Sequence, residues 1–161
     1  MFVVDHLSNL SHQFATFLLA MIPVSEYRVA FPVALEIYGL SFWTAFTLTV
    51  LGSLLPAFLI LILIDPFVRW AKRHSRPITN FFGWLFEHTR SRHGRKFEIY
   101  KDLVLILLVA IPIPLTGVYT GSLAAYIFGI PLKRAFPLIF GSVILGTLII
   151  AGLTLGFRNL F

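Results

Sequence analysis

Two charged side chains stand where an apolar chain should least tolerate them. Glu26 and Arg28 lie in the stretch PVSEYRVAFP, between Pro23 and Pro32. An apolar run from Phe14 to Ile22 precedes them, and Val33 to Ile64 follows with a single charge, Glu36. At membrane depth such a group costs at least ~2.5–3.5 kcal/mol, so its default explanation is function. A guanidinium beside helix N-termini is chemistry for holding an anion. A buried carboxylate favours its neutral form and can therefore take up a proton. Arg28, with Thr116 and helix-arm N-termini, is expected to hold an anionic group, and Glu26 to be a proton-coupled switch. The alternative is a structural ion pair bracing the chain. Residues two apart do not share a helix face, so a direct pair would need the proline break.

The elements that must position these groups follow from composition. Of 161 residues, 58% are hydrophobic and 12% charged, against roughly 25% charged in soluble domains. Leu40 to Ile64 and Ala135 to Phe157 carry no charge at all, and each exceeds the ~20 residues that cross a bilayer. An integral membrane protein is expected. The N-terminus has Asp5 but no Lys or Arg before Arg28, so it lacks the basic region of a secretory signal. There is no cysteine, which excludes disulfides and thiolate metal sites. No nucleotide, zinc-protease or serine-hydrolase motif occurs, and the five histidines do not cluster with acids. Neither enzyme activity nor a metal or cofactor is expected.

Charge distribution sets the orientation. Arg69, Lys72, Arg73, Arg76, Arg90, Arg92, Arg95, Lys96 and Lys101 are nine of the 13 basic residues. By the positive-inside rule, segment 67–101 is cytoplasmic in a multi-pass protein of the cell membrane. The net charge of +6 is thus a topology signal, and no nucleic-acid partner is expected. Within it, Ile78, Phe81, Phe82, Leu85 and Phe86 recur at helical spacing, predicting an amphipathic helix on anionic headgroups or against a partner subunit. Lys133 and Arg134 fall inside only if the preceding apolar run dips into the membrane and returns. IPIPLTG (Ile111 to Gly117) supplies a break: Pro112 and Pro114 remove two donors. The arm before it, Leu103 to Ala110, would be about 12 Å long at 1.5 Å per residue, too short for a ~30 Å core. A re-entrant hairpin is predicted there, a proline-kinked span being the alternative. Pro23 to Gly39, broken at Pro32, is predicted to be a second hairpin, from the outside. Glu36 and Asp65-Pro66 read as boundary anchors, the latter ending the first span. Gly141, Gly146 and Gly152 offer close helix approach, within the fold or between protomers.

The two halves look alike. AMIPV from Ala20 matches VAIPI from Val109, YGLSFWTAF from Tyr38 matches FGIPLKRAF from Phe128, and LGS from Leu51 matches FGS from Phe140, at offsets of 89, 90 and 89. An inverted repeat with breaks at corresponding positions points to a transporter. The breaks must face protein or a water-filled cavity.

MIPVSEYRVAFPVALEIYG, LGSLLP, IPIPLTGVYTGSLAA, FGIPLKRA and FGSVILG together resemble the small multidrug export protein family, within the wider DedA/VTT-like group. The resemblance runs from about Ala20 to Gly152. Ser53 stands where that family usually has Asn, Leu115 where it has Gly, and Tyr119 where it has Trp. The resemblance implies paired re-entrant hairpins, movement of phospholipid-type or polyprenyl-phosphate carriers, and dependence on the proton-motive force.

The expectation is therefore an all-α integral membrane protein of two inverted-topology repeats, each a re-entrant helical hairpin followed by a transmembrane helix. One membrane domain covers 1–161, with an N-terminal helix at 1–22, repeat one at 23–66, the basic segment at 67–101 and repeat two at 102–157. The expected function is proton-coupled transport or flipping of an anionic amphiphile such as a polyprenyl-phosphate or phospholipid. Cationic-drug export is one alternative, and a membrane-organising scaffold without cargo is another. Arg28, Thr116, Gly117, Tyr119 and Thr120 are the expected substrate-binding residues and Glu26 the proton-coupling one. Pro23, Pro32, Ser53, Pro56, Pro112 and Pro114 are expected to shape the breaks. Membrane lipids with anionic headgroups, the amphiphile, protons and further copies of the chain are the expected partners.

Overall fold

The computed structural model describes residues 2–74, 77, 79–80, 83–84, 87, 95–112 and 117–160. These form helices α1 (Phe2–Met21), α2 (Glu26–Pro32), α3 (Phe42–His74), α4 (Arg95–Ala110), α5 (Val118–Ile127) and α6 (Leu132–Leu160). A π-helical stretch, Val33–Ile37, prolongs α2. The all-helical class holds among the described residues. Phe42–Ala71 and Leu132–Arg158 are long and apolar enough to cross a membrane. Phe58, Leu63, Leu145 and Leu148 stand exposed along them, as side chains facing lipid would.

The prolines act differently from expectation in three places. Pro32 does not break its helix. It withholds a donor from the Arg28 carbonyl, but the chain widens and continues: Val33 N–H donates to the Val29 and Ala30 carbonyls. Tyr38 N–H then donates to the Val33 carbonyl at 3.0 Å, in π register. The break of the first half falls instead at Ile22–Ser25, beside Pro23, where Glu26 N–H closes on the Ile22 carbonyl at 2.9 Å. Pro56 lies inside α3 without interrupting it; neighbouring helices let spanning segments absorb such prolines. Asp65-Pro66 does not end the first long helix either, which runs on to His74. The arm before the second break also starts earlier than its apolar run, at Arg95. Pro114, Thr116 and the amphipathic residues Ile78, Phe81, Phe82, Leu85 and Phe86 lie outside the described residues.

One order of elements therefore occurs twice: helix, break, short helical arm, turn, long helix. Gly39 and Gly129, which close the two short arms, have φ of 63° and 70°, in the left-handed region that glycine occupies without a Cβ penalty. Ser41 then caps α3, its Oγ accepting from Thr44 N–H at 3.3 Å.

Packing crosses between the halves. α1 lies along α3 and α4 along α6, while α2 packs on α6 and α5 on α3. Two glycines on the long helices permit close approaches. A Cβ on Gly52 would meet the Phe17 carbonyl oxygen at 2.6 Å and the Ala20 Cβ at 2.7 Å; one on Gly146 would meet the Tyr27 ring and hydroxyl at 2.7 Å. Tyr27, fully buried, joins Leu105, Val109, Val118, Ile139 and Val143 in the main core. Of the three glycines expected to serve packing, Gly146 does so inside the fold, whereas Gly141 and Gly152 face open space.

Gly146→Ala should lower thermal stability in detergent by about 1–3 kcal/mol, the usual cost of overpacking. Gly141→Ala should be near neutral. Equal unfolding shifts for the two variants would contradict this seating of Tyr27.

Candidate functional site

A helix that stops inside apolar surroundings leaves backbone groups without partners: N–H groups at its start and carbonyls at its end. α1 stops at Met21, α4 stops at Ala110, and α5 starts at Val118. The fold brings these three ends together, and the residues singled out in the sequence join them.

Glu26 is the first residue of α2 and is 2% exposed. Its side chain crosses to the second break, where Oε1 accepts from Val118 N–H at 3.2 Å. Gly117, the N-cap position of α5, has no side chain to cap that helix. Glu26 supplies the cap from the other half of the chain. A carboxylate at a helix N-terminus is favoured by ~0.3–1 kcal/mol, and up to ~2 kcal/mol when partly buried. Gly117 makes the approach possible. Its φ of 139° suits glycine alone, and a Cβ there would overlap the Glu26 carboxyl group, 2.8 Å from Cδ. Glu26 Oε2 is buried with no hydrogen-bond partner among the described residues. Glu26 itself has φ of 41° and is the one non-glycine residue with positive φ among those described. Such a conformation costs of order 1–3 kcal/mol and persists where surroundings over-determine it.

The next two residues also reach the second break. Tyr27 Oη donates to the Val109 carbonyl at 2.6 Å, and Arg28 Nη2 to the Ile111 carbonyl at 3.4 Å. Val109 lies in the last turn of α4, so its carbonyl is one of the orphans. The link is returned: Tyr119 Oη donates to the carbonyl of Met21, the last residue of α1. Ser53 Oγ adds a bond of 3.4 Å to the Ala20 carbonyl. Glu26 and Arg28 thus reach separate partners.

The structure therefore brings together Glu26, Arg28, Gly117, Tyr119, Pro23, Ser53 and Pro112 around the paired breaks. Thr120 sits on the exposed side of α5's first turn. Pro32 and Pro56 lie within helices, away from the two breaks in sequence. Tyr27 was not expected. A tyrosine in an apolar chain reads as core, and only its place between Glu26 and Arg28 hinted at more. Away from this site, Arg134 binds Asp102 through Nε at 2.9 Å and Nη2 at 2.5 Å, tying the middle of α4 to the start of α6. Asp65 takes a bond of 3.2 Å from Tyr126 Oη, and Arg158 lies 4.0 Å from Glu36. Asp65 and Glu36, expected as boundary anchors, thus fasten helices to one another.

Gly117→Ala should cost about 1–3 kcal/mol of stability from strain alone, plus the clash with Glu26. In a Glu26→Ala background the loss should shrink. Thermal unfolding of both single variants and the double variant checks this coupling. A loss as large in the Glu26→Ala background as in the wild type would show that the carboxylate does not rest on Gly117.

Residues 26–149 match the sequence profile of the family described as "Putative small multi-drug export protein". Searches among curated proteins and among solved structures return no match. The matched region begins at Glu26, just after the first break, and takes in the second break, both short arms, all of α3 and most of α6. With its two apolar helices of spanning length, and a match over well over half of its length, the chain is a membrane protein that belongs to the small multi-drug export protein family.

Proposed function

We propose that this protein is a proton-coupled transporter or flippase of an anionic amphiphile, with the N-terminus of α5 as its anion site and Glu26 as a tethered occupant of that site. The observation that carries this reading is the Glu26 carboxylate capping α5 across Gly117. A helix N-terminus is an anion site by construction. The ionised carboxylate, an acceptor only, occupies it while no substrate is present. A protonated Glu26 loses its attraction to the helix end and gains an O–H donor, so it yields the Val118 N–H to a phosphate-type head. One proton and one anionic head are thereby taken up together, the proton on Glu26 and the head on the helix end. Arg28 balances the incoming charge; Tyr119, Thr120 and, in the break, Thr116 stand close by in sequence to receive it.

The topology we propose follows from length. α5 has ten residues and α2 with its π-helical extension twelve, about 15 and 18 Å at 1.5 Å per residue, against a ~30 Å core. Both arms enter the membrane and return, making α1–α3 and α4–α6 two inverted repeats with segment 67–101 cytoplasmic. Gly141 and Gly152 give α6 an open face on which a second copy can pack. The family's name favours drug export, and export of a cationic drug would use Glu26 as counter-ion. It would also bring the cation against Arg28 and the positive end of α5.

Liposomes carrying a fluorescent polyprenyl-phosphate analogue in one arm and a lipophilic cationic dye in the other decide between these cargoes. The wild type should move the anionic probe faster under a pH gradient. Glu26→Gln should move it without regard to the gradient, and Arg28→Ala at least tenfold more slowly. Transport of the cation alone, or unchanged pH dependence in Glu26→Gln, contradicts the proposal. Because the chain has no cysteine, single cysteines introduced in place of Asn80 and Gly39 report topology directly. Impermeant maleimide should reach position 80 only from the cytoplasmic face and position 39 only from the outside. The reverse result would invert the assignment.

A further inference from the structure

α3 and α5 leave between them an open groove of about 280 Å³. Leu59, Ile60, Leu63, Ile64 and Phe67 of α3 and Leu123 of α5 line it, with no polar side chain among them. At one end the lining changes character. Phe67 packs on Trp70 (centroids 6.2 Å apart) and Trp70 on His74 (4.8 Å), one after another along α3. Beside this ladder Arg69 and Arg73 stand exposed, one turn apart. The neighbouring carboxylate, Asp65, is engaged by Tyr126 Oη at 3.2 Å and by Arg69 at 3.1 Å. An apolar trough and an aromatic collar thus follow one another along α3, with a cationic rim on the flank of the helix beside Trp70.

We propose that this groove is a binding site for an anionic membrane lipid, one acyl chain lying along Leu59, Leu63 and Leu123 and the phosphate meeting Arg69 and Arg73. Charge complementarity selects this occupant. The trough accepts any acyl chain, but exposed arginines at an aromatic boundary select an anionic head. A second copy fits poorly: a two-fold axis along the membrane normal would bring the same arginines of both copies together. This inference concerns binding and stands whether or not Glu26 couples transport to protons.

Trp70 is a built-in reporter. A variant carrying Trp43→Phe and Trp84→Phe, reconstituted in phosphatidylcholine vesicles, is titrated with phosphatidylglycerol brominated along its acyl chains, and in parallel with brominated phosphatidylcholine. Trp70 quenching should saturate at a mole fraction lower for the anionic lipid by about five-fold per arginine engaged. Arg69→Gln with Arg73→Gln should abolish that preference, and Leu63→Phe with Leu123→Phe, which fill the trough, should reduce the quenching itself. Superimposable curves for the two lipids mean ordinary annular lipid and overturn the proposal. So does weak quenching by both lipids with energy transfer between labelled copies, which means that another copy covers the groove.

Discussion

In an apolar solvent, a helix that stops short must find partners for the backbone groups it exposes, and water is not among them. The chain meets this constraint by setting its two breaks against each other. Glu26, from the start of α2, caps α5; Tyr27 and Arg28 take carbonyls at and beyond the end of α4; Tyr119 returns a bond to the end of α1. Remove the contact and each half has bare helix ends in its middle. Keep it, and short arms that would be marginal as isolated helices become fixed elements. The same contact explains why residues as improbable here as a glutamate with φ of 41° and a glycine with φ of 139° occur face to face.

The rest of the architecture serves that juxtaposition. Each short arm packs on its own half and also on the long helix of the other, α2 on α6 and α5 on α3. Gly146 lets the Tyr27 ring sink into α6, and Gly52 lets α1 close on α3 behind the first break. Left-handed glycines at 39 and 129 return the arms to the long helices. Asp102 with Arg134 and Asp65 with Tyr126 then tie the helix pairs outside the breaks themselves. Packing and hydrogen bonding, not a hydrophobic drive between helices, have to hold such an assembly together in lipid.

Much of this was legible in the residues, for identifiable reasons. Charge in an apolar chain is conspicuous, so Glu26 and Arg28 stood out at once. The IPIPLTG break announced itself through its two prolines. The matched segments around Gly39 and Gly129 fall on turns of the same backbone conformation. Other features were not legible. A proline has two outcomes in a helix, termination or a local change of hydrogen-bond register. At Pro32 the register change won, so the break moved back to Ile22–Ser25. Pro56 is buried in the packing around α3 and Pro66 stands exposed on it, and no local pattern reveals that the helix runs on through both. Tyr27 hides because a buried tyrosine has the same sequence signature whether or not its hydroxyl is needed. The cap that Glu26 gives α5 joins positions 92 apart in the chain, a distance at which spacing carries no information.

The central claim is that the Glu26 carboxylate and a substrate anion compete for one helix end. Proton exchange on binding tests it most directly. In weakly buffered detergent solution with a pH indicator, adding a polyprenyl-phosphate analogue should draw a proton onto the protein as each anion binds, because the displaced carboxylate is released from the helix that favours its ionised form. Glu26→Gln should bind the same analogue with no uptake. Binding without proton uptake by the wild type, or equal uptake by Glu26→Gln, would contradict the claim and leave Glu26 a brace between the two breaks.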